Sequence, residues 1–223
     1  MSISLQKGQK VSLSKESAGL SKVIIGLGWD EAVNNAQQPK QGGGFFSNIF
    51  GSGNTSGGMQ SIGGDTIDCD ASAFMLQSGR LVNKTDIVYY GNLRHNSGTV
   101  VHMGDNLTGA GEGDDEQLVV DLGQVPAQYD RIVVTVNIYH AMQKNQHFGM
   151  IRNAFIRLVD ARNNQEICRY NLTDDYPGIT AMVFGEIYRH GNEWKFNAIG
   201  QGTNDGSISE LAKRYTGGVK EGV

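Results

Sequence analysis

Seven carboxylates stand out by their type and their neighbours. Asp105, Asp114, Asp115 and Glu116 lie in Gly104-Asp-Asn-Leu-Thr-Gly-Ala-Gly-Glu-Gly-Asp-Asp-Glu116, inside a stretch from His95 to Asp130 that has no lysine or arginine. Three adjacent acids behind a glycine-rich bend repel one another unless something neutralises them, and a hard cation is the simplest such agent. Asp68-Cys-Asp70 adds a second pair. On a strand, residues i and i+2 share a face at roughly 6–7 Å, so the two carboxylates can pinch one ion while Cys69 points away. Asp30 closes a third run, Val23-Ile-Ile-Gly-Leu-Gly-Trp-Asp30. With Asn106 and loop carbonyls, the donor set is hard oxygen throughout, which suits Ca²⁺ and its 6–8 ligands; Mg²⁺ keeps more water, and Zn²⁺ calls for His or Cys. The candidate metal ligands are therefore Asp30, Asp68, Asp70, Asp105, Asn106, Asp114, Asp115 and Glu116, around one or two calcium ions. The seven acids carry −7 in a chain of net charge −4, so the remainder is +3. Two calcium ions would offset most of the cluster, and binding would add to stability.

Other chemistries fit less well. Asp105 and Glu116 are spaced like the ends of an EF-hand loop, but Leu107, Gly109 and Ala110 occupy its inner positions and the flanks read as strands. A metal-dependent hydrolase is disfavoured, because the chain has no His-Glu-x-x-His, no Gly-x-Ser-x-Gly elbow and no phosphate loop. His95, His102, His140, His147 and His190 are spread without ligand spacing and read as surface or packed residues. Cys69 and Cys168 read as reduced, buried thiols of a cytoplasmic protein. The acidic balance disfavours a nucleic-acid backbone as the main partner. The N-terminus has no secretory pattern, and no apolar run is long enough to span a bilayer.

The elements that must position these acids are short strands. In 223 residues there are 31 glycines and only 3 prolines. Strand-like runs fall at 3–5, 11–13, 23–29, 67–76, 86–90, 99–103, 117–122, 131–140, 154–160, 166–172, 182–189 and 194–199. Asn163-Asn164 and Gly191-Asn192 read as hairpin turns. That rhythm predicts an all-β fold, a two-sheet β-sandwich, as a single domain over 1–223. The glycines in Val23–Trp29 predict a bulge or a close backbone approach. One short C-terminal helix is expected, with Ser207 and Glu210 as a capping box, Ile208, Leu211, Ala212 and Tyr215 on one face, and Gly217 as its stop. It is expected to cap one end of the sandwich. Residues 31–64 contain nine glycines and two charges and predict a flexible insertion. Within it, Phe45, Phe46, Ile49 and Phe50 are spaced like one amphipathic turn, either packed back on the domain or available to a partner or membrane surface.

The stretches Ser4–Leu13, Val23–Asp30, Asp68–Phe74 and Gly104–Glu116, with the weaker Ile151–Val159, together resemble the TerD family of tellurium-resistance and bacterial stress proteins. The resemblance implies a cytoplasmic, calcium-binding β-sandwich, usually with two ions. It carries the metal role onto the acids at 30, 68, 70, 105, 114, 115 and 116. It implies a non-enzymatic stress-response role as a scaffold or sensor, within a membrane-associated complex that includes an integral membrane protein. A calcium-dependent lipid-binding module of the C2 kind is the alternative, with the 45–50 hydrophobes at the membrane surface. The 31–64 segment departs from the family pattern, whose connection there is often much shorter.

Overall fold

The computed structural model describes residues 2–31, 67–105, 113–172 and 174–217. The expected insertion at 31–64, apart from Glu31, therefore lies outside the described residues, as do its Phe45, Phe46, Ile49 and Phe50, and so does Asn106.

Each run read as a strand from the sequence is one. In chain order they are β1 (Ile3–Leu5), β2 (Lys10–Ser12), β3 (Lys22–Glu31), β4 (Cys69–Leu76), β5 (Ile87–Val88), β6 (Val100–Asp105), β7 (Glu116–Asp121), β8 (Arg131–Ile138), β9 (Ile151–Asp160), β10 (Gln165–Asn171), β11 (Ala181–His190) and β12 (Glu193–Thr203). They form two six-stranded sheets, ordered β1-β10-β9-β3-β7-β6 and β2-β12-β11-β8-β4-β5. All pairings are antiparallel except β1 with β10. The two N-terminal strands enter different sheets, so the first dozen residues tie the layers together. The turns at 163–164 and 191–192 close the β9–β10 and β11–β12 hairpins, with Asn164 and Gly191 at positive φ.

Alternation places the core. Val23, Ile25 and Leu27 of β3, Leu118 and Val120 of β7, and Ile156 and Leu158 of β9 face inward from the first sheet. Opposite them stand Ala71, Ala73 and Met75 of β4, Val134 and Val136 of β8, and Phe184 and Phe196 of β11 and β12. Small alanines on β4 face larger residues across the layer, the interdigitation a close-packed interior requires. Both cysteines are free and buried. Burial, and then the nearby acid Glu166, pushes the Cys168 thiol up to about 12.

Three short helices connect the strands: α1 (Leu13–Glu16), α2 (Ala141–Lys144) and α3 (Ile208–Lys213). The first two escape a sequence reading because four residues cannot display a helical period. The third is the expected C-terminal helix. Ser207 is its N-cap and accepts a hydrogen bond from the Glu210 N–H, while the Glu210 carboxylate accepts one from the Gly206 N–H at 2.7 Å. Its expected place at one end of the sandwich is corrected. Leu211 and Ala212 pack on Phe74 and Leu76 of β4, Val133 of β8 and Val183 of β11, on the outer face of the second sheet, and Tyr215 meets Phe74 edge-on at 5.8 Å. The physical reason is visible in Ala73-Phe-Met-Leu76. These residues are apolar on both faces of the strand, so the outer face needs a cover.

Candidate metal centre

Strand register brings several of the acid-bearing segments to one end of the sandwich. β3 pairs with β7 so that Leu27 lies opposite Glu116, and β6 pairs with β7 so that Asp105 does too. The C-terminal ends of β3 and β6 and the N-terminal end of β7 thus share one end of the first sheet. The start of β4 comes to the same end from the second sheet, because the Ala71 N–H donates to Glu116 Oε2 at 2.8 Å.

The glycine-weakened β3 does both things expected of it. Its register with β9 shifts between Gly28 and Asp30, a bulge that swings Asp30 to the surface. There its carboxylate accepts from Asn153 Nδ2 at 2.7 Å. At Gly26 the backbone comes close to Asp114, and a Cβ in that place would collide with the Asp114 carboxylate. Asp115 is tied to the same strand, with its N–H donating to Leu27 O and its Oδ2 accepting from the Trp29 N–H, both at 2.7 Å. Burial pushes the Asp115 carboxyl up; the Trp29 N–H opposes this, and the charges of Asp30 and Asp114 push it further. Asp68 is exposed just before β4, and its carbonyl accepts from the Tyr139 N–H. Asp70 is half-buried on β4. Between them Cys69 is buried, and its thiol is pushed well up by burial first and then by Asp70, Asp68, Glu116 and Asp115 in turn. The negative potential of this end therefore draws on β4, β7 and the residues just before them.

Two of the acids have protein partners that the sequence reading missed. Asp114, 1% exposed at its side chain, binds Arg157 of β9 through both oxygens, Oδ1 to Nε at 2.7 Å and Oδ2 to Nη2 at 3.1 Å. Its Oδ2 also accepts from Gln117 Nε2 at 3.0 Å. The Asp114 bond raises the Arg157 guanidinium further above its already high value. The acid triplet is thus partly neutralised by an arginine 43 residues along the chain, out of reach of any local charge count. Glu116, 3% exposed, accepts from the Ala71 N–H and, at 3.0 Å, from His102 Nε2. His102 Nδ1 in turn accepts from the Gly104 N–H, which places the ring proton on Nε2. Glu116 thereby links the two sheets at the base of the acidic end, and His102, 2% exposed and on the neighbouring strand of its own sheet, holds it there. Its signal in the sequence was faint: a lone histidine two residues before the glycine-rich motif.

Among the described residues, no three His, Cys, Asp or Glu side chains are close enough together to hold a metal ion. The side chains of Asp105 and Asn106 lie outside that description. Also among the described residues, no helix is long and apolar enough to cross a membrane.

Comparison with known proteins agrees with this architecture. Residues 1–215 match the TerD domain model. The chain is 49% identical over 215 residues to the stress response protein SCP2 of Bacillus subtilis, covering 96% of this chain and all of that one. It is 42% identical over 214 residues to the tellurium resistance protein TerD of Serratia marcescens, covering 96% and 97%. A crystal structure of a TerD homologue from Streptomyces coelicolor A3(2) superposes with a TM-score of 0.56 at 20% identity, over 87% of this chain and 96% of that one, which speaks to the fold alone. With a family match over almost its whole length and full-length relatives well above the level at which kinship is in question, the chain belongs to the TerD family.

Proposed function

We propose that this chain is a non-enzymatic, calcium-binding stress-response protein of the tellurite-resistance type, and that the ion holds the loops at the acidic end. The observation that carries the reading is placement: strand register and the Glu116–Ala71 bond bring Asp30, Asp68, Asp70 and Asp115 to one end of the sandwich, where the Asp115 carboxyl, seated on the Trp29 N–H, is pushed up first by burial and then by Asp30 and Asp114. A site that penalises its own ionisation favours a bound divalent cation. The donors are hard oxygens, and the backbone near Gly104 is at positive φ, where the chain can turn.

In this reading the acids have two roles. Asp30, Asp68, Asp70 and Asp115, with Asp105 at the end of β6 and Asn106 after it in sequence, are the ligand candidates. Asp114 and Glu116 act as struts, the first locking the loop to β9 through Arg157 and the second locking β7 to β4 and to His102. When bound, calcium supplies charge neutralisation and loop order rather than bond cleavage. The kinship with stress and tellurium-resistance proteins supports the stress-response part of the reading; the scaffold or sensor role in a cytoplasmic, membrane-associated assembly is our proposal for how that response is served.

Calorimetric titration of metal-free protein with calcium tests the proposal. Saturable binding that drops by about 100-fold or more in Asp68→Ala with Asp70→Ala supports it, since each lost charged ligand is worth several kcal/mol. Absence of binding, or equal affinity in that double variant, overturns it.

A further inference from the structure

A groove of about 680 Å³ lies between α3 and the outer face of the second sheet, and one end of it adjoins the start of β4, where Asp68 and Asp70 stand. That volume is in the range of small-molecule sites. Its two ends differ in chemistry. At one end four rings form a wall: Tyr89 meets Tyr90 edge-on at 5.2 Å, Tyr90 meets Tyr139 at 6.3 Å, and Tyr139 lies against His140 at 4.1 Å. Tyr90 is 49% and Tyr139 38% exposed, an unusual surface for stacked aromatics. At the other end stand Lys84 and Lys213, and no carboxylate lines the groove among the described residues.

Asn137 of β8 lines the groove and is only 5% exposed; its Oδ1 is closed off from solvent and has no hydrogen-bond partner among the described residues.

We propose that this groove is a binding site for a small anionic molecule with a flat ring, the ring stacked on the tyrosine wall and the anion held by Lys84 and Lys213. The orientation follows from charge. Asn137 is the register partner of Asp70, and the Tyr139 N–H donates to Asp68 O, so the aromatic end abuts the acids. β5 pairs Val88 and Ile87 with Ala73 and Phe74, which carries Lys84 toward the opposite end of β4. An anion is therefore repelled from the ring end and attracted to the lysine end.

The test uses full-length ¹⁵N-labelled protein in EGTA, so that no metal ion can hold the phosphate and the outcome is independent of the calcium reading. Adenosine 5′-monophosphate and phenyl phosphate are the ring-bearing probes; adenosine and inorganic phosphate carry one half each. Saturable shifts at the amides of 89–90, 137–140 and 206–213, weakened roughly tenfold by Lys84→Glu with Lys213→Glu or by Tyr90→Ser, support the site, a loss of about 1.4 kcal/mol per tenfold. These substitutions are on exposed side chains, and near-UV circular dichroism confirms that the variants fold. No saturable shift from either ring-bearing phosphate at about 10 mM, a K_d weaker than about −2.7 kcal/mol of binding, overturns it. So do shifts centred elsewhere, unaltered binding in both variants, or inorganic phosphate alone binding as well as the ring-bearing probes.

Discussion

The two ends of the β3–β9 ribbon handle buried negative charge in opposite ways. At the end where Val23 faces Asp160, the Asp160 carboxylate is 1% exposed and saturated. It takes Arg162 Nη2 at 2.6 Å, the Arg162 N–H at 2.9 Å and Ser17 Oγ at 2.5 Å. Arg162 also reaches Gly19 O and Ala18 O of the preceding turn. The guanidinium, and then the Ser17 hydroxyl, hold the Asp160 carboxyl well below the usual carboxylate range in spite of burial. At the end where Asp30 faces Arg152, Asp115 has one backbone N–H and is pushed up by burial and by Asp30 and Asp114. One end is closed by the chain's own cations, and the other keeps a surplus of negative charge. The second is the end to which our proposal assigns the cation, and the difference separates Asp114, which Arg157 closes, from its neighbour Asp115.

The largest break in this comparison is Arg157→Met. It leaves Asp114 buried without its cation and should cost about 3–4 kcal/mol in urea unfolding; adding Asp114→Asn should restore most of that, whereas an additive double variant would deny the pair its strut role. Next is metal removal. If calcium fills the open end at about 100 times its Kd, stripping it with EGTA should cost about 3 kcal/mol, or roughly 5–10 °C in Tm. A melting curve that is unchanged by EGTA would remove the distinction between the two ends. Asp160→Asn should cost about 2 kcal/mol, equally with and without calcium, because it lies at the closed end. A calcium-dependent loss would show that the ends are coupled.

The smallest effect is in pH. Asp160 has a lowered carboxyl, so its contribution is present above the unfolded value of about 3.9 and is lost as pH falls toward its folded value. Asp115 has a raised carboxyl, so its contribution is present below about 3.9 and is lost as pH rises through its folded value. Metal-free protein should therefore gain a little stability on acidification from neutrality toward the raised Asp115 value, with the Asp160 end intact. Asp115→Asn should remove that gain, and thermal melts across the pH series read it directly.

Much of this was legible from local pattern. All twelve strands, both hairpin turns and the Ser207–Glu210 cap follow from period-two alternation and from turn and cap residues, which act over a few positions. The glycines of β3 foretold the bulge at Gly28–Asp30. Other features had no local signal. Arg157 is one charged residue on a half-exposed strand until β9 lies beside β3. The four-residue α1 and α2 are too short to show a period, and the position of α3 depends on which sheet face has spare apolar surface.

By itself, the order of residues determined the strands and the sandwich, because alternation and turn chemistry are properties of neighbours along the chain. Only the tertiary structure decided that Arg157 holds Asp114 and that His102 and the Ala71 N–H hold Glu116, where α3 rests, and that a tyrosine wall and two lysines flank a buried asparagine. Those outcomes depend on strand register, and register sets distances between residues that the sequence keeps far apart.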